Sequence, residues 1–273
     1  MQHKKIIAHI VHWLKEYSDL SGTHGFVIGI SGGIDSAITS TLCALTGKKV
    51  LCVNMPIHQS AAEYNRANEH ISNLKSRFSN VDSVEVNLSD TFETMRKAFP
   101  PTVADHFLAM ANTRSRLRMS CLYALGQEKG LLVAGTGNKI EDFGIGFYTK
   151  YGDGGVDLSP IADLSKTQVF ELAKELEIVK SIQEAKPTDG LWSDGRSDED
   201  QIGASYPELE WAMEYVAQYA SLEAERISGD QIPRKGLSDR QDQVLGIFLR
   251  FHNANKHKML PIPVCVIPKE YFH

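Results

Sequence analysis

Gly29-Ile30-Ser31-Gly32-Gly33-Ile34-Asp35-Ser36 gathers adjacent glycines, two hydroxyls and a carboxyl between an apolar run and a helix-like one. Glycines let a backbone approach a ligand closely, and amides at a helix start carry partial positive charge. The segment therefore predicts a cradle for a phosphate anion, with Ser31 and Ser36 as hydroxyl donors. Asp35 sits badly against bare phosphate unless a cation bridges the two, which implies Mg²⁺.

Other motifs share parts of this pattern. A Walker loop needs Lys-Ser or Lys-Thr after its last glycine, and none follows here. A dinucleotide fingerprint needs a third glycine, which Gly135-Thr136-Gly137 and Gly144-Ile145-Gly146 lack at the right spacing. Gly29-Ile30-Ser31-Gly32-Gly33 does satisfy the GxSxG of a serine hydrolase elbow, with Asp239 or Asp242 and then His257 in the expected order. That elbow would lie on the first strand, leaving no earlier strand to supply the second oxyanion amide. A glycine turn used only for packing has no need of Ser-Gly-Gly-x-Asp-Ser.

The elements around the loop follow from periodicity. Ile6, Ile7, Ile10, Val11 and Leu14 recur at helical spacing, so an amphipathic helix opens the chain. Phe26 to Ile30 reads as a buried strand, followed by a helix that Gly47 stops. Lys49 to Asn54 and Ser83 to Leu88 are the second and third strands, and Ser60-Ala61-Ala62-Glu63 caps the helix between them. A long helix runs from about Ala104 to Glu128, carrying Arg114, Arg116 and Arg118, and Leu131 to Ala134 is the fourth strand. Ser165-Lys166-Thr167-Gln168 caps a helix to about Leu176, and helices follow near Tyr206 to Tyr219 and Asp239 to Asn253. Apolar strands alternating with helices predict an α/β fold: a doubly wound, mostly parallel sheet with helices on both faces, Rossmann-like, with ligands beyond the strands' carboxyl ends. The glycine-rich stretch 144–155 and the Asp-, Gly- and Ser-rich stretch 186–203 read as functional or mobile loops, and Asp153, the segment 186–203 and the C-terminal tail are expected to order on binding.

Composition narrows the function classes. With 29 Lys+Arg against 34 Asp+Glu, the net charge of −5 argues against nucleic acid as a partner. Apolar runs near the start are too short for a signal peptide or a membrane span, so the expected location is cytoplasmic. Cys43, Cys52, Cys121 and Cys265 lie apart without a CxxC pair, each in an apolar stretch, which predicts buried, reduced thiols.

The loop Ser31-Gly32-Gly33-Ile34-Asp35-Ser36 resembles the SGGxDS pyrophosphate loop of the adenine nucleotide alpha-hydrolase-like, N-type ATP pyrophosphatases. The remaining motifs resemble one branch of them, the NAD synthetase family. They are Gly135 to Glu141, Gly146 to Asp157, Lys186-Pro187-Thr188, Asp198-Glu199-Asp200, His257-Lys258, and Asn112, Arg116, Arg118 and Met119 on the long helix. The segment between Glu141 and Gly146 is one residue longer than the family pattern.

The resemblance implies that Asp35 and Glu141 bind Mg²⁺. It implies that Gly29, Ile30, Ser31, Gly32, Gly33, Ile34, Asp35 and Ser36 hold ATP together with Thr136, Lys166 and Thr188. Arg116, Lys150, Asp157, His257 and Lys258 correspond to positions for deamido-NAD (nicotinic acid adenine dinucleotide), and Asp35, Lys150 and Lys166 to the catalytic set. Arg114 and Arg118, four apart on one helix face, read as a solvated pair outside the site. The implied reaction is ATP-dependent amidation of deamido-NAD with ammonia, giving NAD, AMP and pyrophosphate through an adenylate. The implied assembly is a homodimer. The family pattern starts by residue 25, so residues 1–273 are expected to form a single synthetase domain without an amino-terminal glutaminase domain, using free ammonia or ammonia from a separate glutaminase chain.

Overall fold

In the computed structural model, which describes residues 1–188 and 197–272, helix α1 (His3–Leu20) is followed by β1 (Gly25–Gly29), α2 (Ile34–Leu45), β2 (Lys49–Asn54), α3 (Ala61–Arg77) and β3 (Val81–Glu85). Helices α4 (Ser89–Ala98), α5 (Pro101–Ala104) and α6 (Phe107–Lys129) lead to β4 (Leu132–Val133), then to a π-helical turn (Ile140–Ile145) and α7 (Lys166–Glu175). The later helices are α8 (Lys180–Gln183), α9 (Asp198–Ile202), α10 (Tyr206–Ala217) and α11 (Asp239–Met259).

The strands pair in parallel in the order β3-β2-β1-β4, which is the doubly wound α/β sheet the alternation predicts. Because β2 and β4 flank β1 on opposite sides, the winding reverses at β1 and opens a crevice beyond the carboxyl ends of β1 and β4. Side chains alternate across the sheet. Phe26, Ile28, Val50 and Cys52 pack with Leu14, Ile38, Leu74 and Leu172 of α1, α2, α3 and α7. Val27, Leu51, Val53 and Val133 instead meet Leu122 and Leu125 of α6. Both faces are covered, so the strands read as continuous apolar runs. A separate core of Ile140, Ile145, Tyr206, Leu209 and Phe248 joins the π-helical turn to α10 and α11.

The caps act as their residue types require. Ser60 accepts from the Glu63 amide, Ser165 and Gln168 form a reciprocal capping box, and Gly130 ends α6 with φ of 66°.

Several expectations need correction. The third strand spans Val81–Glu85, because its ladder begins where β2 begins, with Val50 opposite Val81. Val86 and Leu88 continue beyond it, with amides bonded to the Asn54 and Pro56 carbonyls. Cys43 and Cys52 are buried, but Cys121 is half-buried and Cys265 is exposed on the tail. Within the expected loop 186–203, residues 198–202 are helical, capped by Ser197 and Asp200, while 189–196 lie outside the described residues. The segment between Glu141 and Gly146, expected to be irregular, lies in a π-helical turn, Ile140–Ile145. No helix among the described residues is long and apolar enough to cross a membrane.

Candidate active site

The loop after β1 turns sharply into α2, and its backbone leaves no room for larger residues. Gly32 has φ of +84°, and a Cβ there would lie 2.4 Å from the Glu63 carbonyl oxygen. Ser31 Oγ accepts from the Gly33 amide at 3.1 Å and pairs with Ser36 Oγ at 3.1 Å; Ser36 Oγ donates to the Gly33 carbonyl at 2.9 Å. Arg66 Nε and Gln59 Nε2 donate to the Gly32 and Ser31 carbonyls. These bonds turn the loop's carbonyls toward donors. No side chain caps the start of α2, so its amides are available to an anion. Ser31 hydrogen-bonds within its own loop, and no histidine reaches its hydroxyl among the described residues, unlike a hydrolase elbow.

Beyond the loop, three charged side chains from three elements meet. Lys166 Nζ, at the first position of α7, lies 2.5 Å from Asp35 Oδ2 and 2.9 Å from Glu141 Oε1. The lysine side chain is 4% exposed and each acid 17%, so the three charges compensate one another largely out of water. Tyr206 Oη donates to Glu141 Oε1 at 2.7 Å. Asn138, fully buried, accepts the amides of Ile140 and Glu141 through Oδ1 and reaches Asp35 through Nδ2. Burial alone would lower the Lys166 pKa, but the two carboxylates hold it above the ordinary lysine value. Burial raises Asp35, and the Lys166 charge opposes it. For Glu141 burial is again the largest influence, yet Lys166 and the Tyr206 bond together bring it below the ordinary value.

A cleft of about 580 Å³ extends from this group. Of the sequence-predicted residues, Gly29 to Ser36, Thr136, Glu141, Lys166, Thr188 and Lys258 line it. Arg114 and Arg118 also line it, so reading them as a solvated pair is corrected. Arg118 Nε donates to the Met55 carbonyl at 3.0 Å, and burial, helped by Arg114, pushes its pKa down to about 10. The signal was present: Ala111, Ser115, Arg118 and Leu122 repeat at helical spacing and all face the cleft. Asp142 and Asp153 line it as well. Burial raises Asp142 well above the usual carboxylate range, and Glu141, Asp153 and Asp35 add to that. Asp153 Oδ1 accepts from Ser115 Oγ at 2.7 Å and from the Thr149 amide at 3.0 Å.

The expected dinucleotide residues fall into three places. Lys258 Nζ donates to the carbonyls of Gly146 and Tyr148 inside the cleft. Arg116, Lys150 and His257 form an outer chain: Arg116 Nε donates to the Lys150 carbonyl at 3.3 Å, and Lys150 Nζ to the His257 carbonyl at 2.7 Å. Asp157 stands apart, accepting from Tyr123 Oη at 3.0 Å and the Val133 amide at 2.8 Å.

Comparison with known proteins identifies the family. The NAD synthase family model matches residues 6–255. An NH3-dependent NAD+ synthetase of Methanosarcina acetivorans is 34% identical over 266 residues, 97% of this chain and 98% of that protein. One from Mesoplasma florum is 37% identical over 77% of this chain and 84% of that protein. The structure of an NMN synthetase from Francisella tularensis overlays with a TM-score of 0.78 at 28% identity, covering 98% of this chain and 99% of that one. With a family match spanning nearly the whole sequence, this chain belongs to the NAD synthase family.

Proposed function

We propose that this chain makes NAD by amidating deamido-NAD with ammonia at the expense of ATP, releasing AMP and pyrophosphate, the last step of NAD biosynthesis. The observation that carries the reading is Lys166 Nζ held between Asp35 and Glu141 beside an uncapped helix start. A carboxylate cannot expel oxide to ammonia directly, so adenylation must come first. The acid's oxygen attacks the α-phosphorus of ATP, pyrophosphate leaves, and ammonia then displaces AMP from the acyl carbon with loss of a proton. The amides of the 30–36 loop and the start of α2 hold the phosphates. Lys166 offsets charge that grows on them as pyrophosphate departs.

Asp35 and Glu141 already share one cation, and their hard oxygens suit Mg²⁺. These two are the side chains that would hold it, since among the described residues no group of three His, Cys, Asp or Glu side chains gathers to hold a metal. The chemistry a Mg²⁺ ion would supply between Asp35 and Glu141 is charge neutralisation for a departing pyrophosphate. Thr136 and Thr188 are further ATP contacts, Arg116, Lys150, Asp157, His257 and Lys258 bind the dinucleotide, and Lys150 joins Asp35 and Lys166 in the catalytic set. We further assign one synthetase domain working in the cytoplasm as a homodimer on free or separately supplied ammonia. The relatives named for dependence on NH3, matched over most of their length, support that nitrogen source.

The Francisella overlay favours a second reading, in which the acid is the mononucleotide. The test is to supply purified protein with ATP, Mg²⁺ and ammonium or glutamine, with deamido-NAD or nicotinic acid mononucleotide as acid, and to measure NAD, NMN, AMP and pyrophosphate. NAD and AMP with ammonium alone are expected. NMN in place of NAD selects the second reading, and no ATP cleavage with either acid overturns both.

A further inference from the structure

Two side chains of α10 reach Lys166 and its neighbours from behind the cleft. Glu210 Oε1 accepts the Thr167 amide at 2.9 Å, and its Oε2 accepts Thr167 Oγ1 at 2.7 Å. One turn earlier, Tyr206 donates to Glu141 Oε1, and its ring lies against the Lys166 ammonium, with 5.1 Å from Nζ to the ring centroid. Tyr206 and Glu210 are four apart, so one face of α10 carries both. The described residues that line the cleft include Lys166 and Glu141 but not Tyr206, Thr167 or Glu210. These three therefore bear on the reacting atoms only through other residues.

Lys166 and Thr167 are the first two residues of α7, where a helix offers its amides no internal acceptor and frays most readily. Ser165 and Gln168 cap each other and satisfy the Gln168 amide. The Thr167 amide goes to Glu210, whose negative charge suits the positive end of the helix dipole. The start of α7 is thus closed by an anion of the protein itself, whereas the start of α2 has no side-chain cap and stays open to phosphate. Glu210 is held in turn by a firm support. Leu209, Ala212 and Met213 bury α10 in the separate core, and Arg240 Nε and Nη2 grip Glu208 at 2.6 and 2.7 Å. We propose that Glu210 is a positioning residue for Lys166. By fixing the first turn of α7 it sets where the long lysine side chain begins, and the same helix holds Glu141 through Tyr206. This rests on the reaction proposed above, in which Lys166 offsets charge on the departing pyrophosphate.

The test is a double-mutant cycle in steady-state amide formation with Glu210→Ala, Thr167→Val and the two combined, beside Glu210→Gln as a variant of the same size. Misplacing a catalytic group by about 1 Å costs on the order of a hundredfold, so Glu210→Ala should lose up to that factor in kcat while the KM for the acid substrate stays unchanged. Thr167→Val removes one of the two bonds and should lose less. Because Glu210 acts through Thr167, the double variant should be no slower than Glu210→Ala alone. Glu210→Gln, which keeps one acceptor oxygen, should fall between wild type and Glu210→Ala. Its melting temperature should stay near wild type, and it replaces Glu210→Ala in the cycle if that variant does not fold. Unchanged kcat in the Glu210 variants, losses that multiply in the double variant, or a loss confined to KM would overturn the assignment. A wild type that forms no amide from either acid would instead overturn the underlying reading, and the role of Lys166 with it.

Discussion

The two halves of the candidate site are built differently. The half proposed for ATP is wired in advance: a loop fixed by its own hydroxyls and by Arg66 and Gln59, and a lysine held by two acids. The half proposed for the dinucleotide is scattered. Arg116 and His257 are exposed, Lys150 points at a backbone carbonyl, and Asp157 sits by itself with Tyr123 and Val133. A phosphate-activating centre gains from rigid electrostatics because its donors must be in place before charge develops. A site for a long substrate can be assembled around it, by closure or by a second copy of the chain presenting the outer face of α6.

The contrast is tested most severely at Lys166. Lys166→Met should lower kcat on the order of a thousandfold, as loss of a preorganised charge at a reacting phosphate does. It also leaves Asp35 and Glu141 with no cation, at a cost of about 3 kcal/mol. Thermal melting should therefore show a less stable variant that regains stability on adding Mg²⁺. A stable, active variant would mean that the ATP half is not wired as described. Gly32→Ala comes next. Its Cβ would collide with a backbone oxygen at a positive φ, so roughly 3 kcal/mol of stability should go, with ATP affinity, measured by urea melts and nucleotide titration.

How legible these halves were follows the same division. The phosphate loop, its strand and its helix could be read because glycine, hydroxyl and cap residues act through their nearest neighbours in sequence. Asp35, Glu141 and Lys166 lie on separate elements, and their meeting was legible only through the family resemblance. The residues of α6 show the limit of periodicity. Spacing placed Arg114 and Arg118 together and Arg116 elsewhere, but the cleft and solvent sides of a helix with apolar residues all round look alike without the sheet it crosses. Asp142 was missed because a π-helical turn breaks the period on which facing is judged. The edge strand β3 was displaced because Val86 and Leu88 continue the apolar alternation of Val84 after the ladder has ended at Glu85.

Away from the ligands, the rigid half depends on a buried contact between its helices that should leave a pH signature. His70 of α3 is fully buried, bonded through Nε2 to Ser40 Oγ of α2 at 2.8 Å, and burial, then the Arg77 charge, lower its pKa from 6.5 to about 4. The neutral ring is the folded form, so this contribution is complete above pH 6.5 and is lost as pH falls toward 4, where the unfolded chain binds a proton more readily. The window corresponds to about 3 kcal/mol at most. Urea midpoints measured across it should fall with pH in wild type and less steeply in His70→Gln. Equal slopes would remove His70 from the account.

The smallest effect is the one that separates the halves. Arg116 makes one long bond to a backbone carbonyl and is exposed, so Arg116→Ala should leave the fold and the KM for ATP unchanged. If its guanidinium meets the substrate's own pyrophosphate, the KM for deamido-NAD should rise about tenfold, the size expected for one charge-assisted contact. Arg118→Ala is the matched control from the cleft side of the same helix. It removes a bond to the Met55 carbonyl next to the phosphate loop, so its effect should appear in the KM for ATP. Opposite outcomes for the two arginines would show that α6 serves a different substrate on each face. The same pattern from both would mean that the outer chain of Arg116, Lys150 and His257 belongs to the ATP half, and the division between a rigid half and an assembled one would collapse.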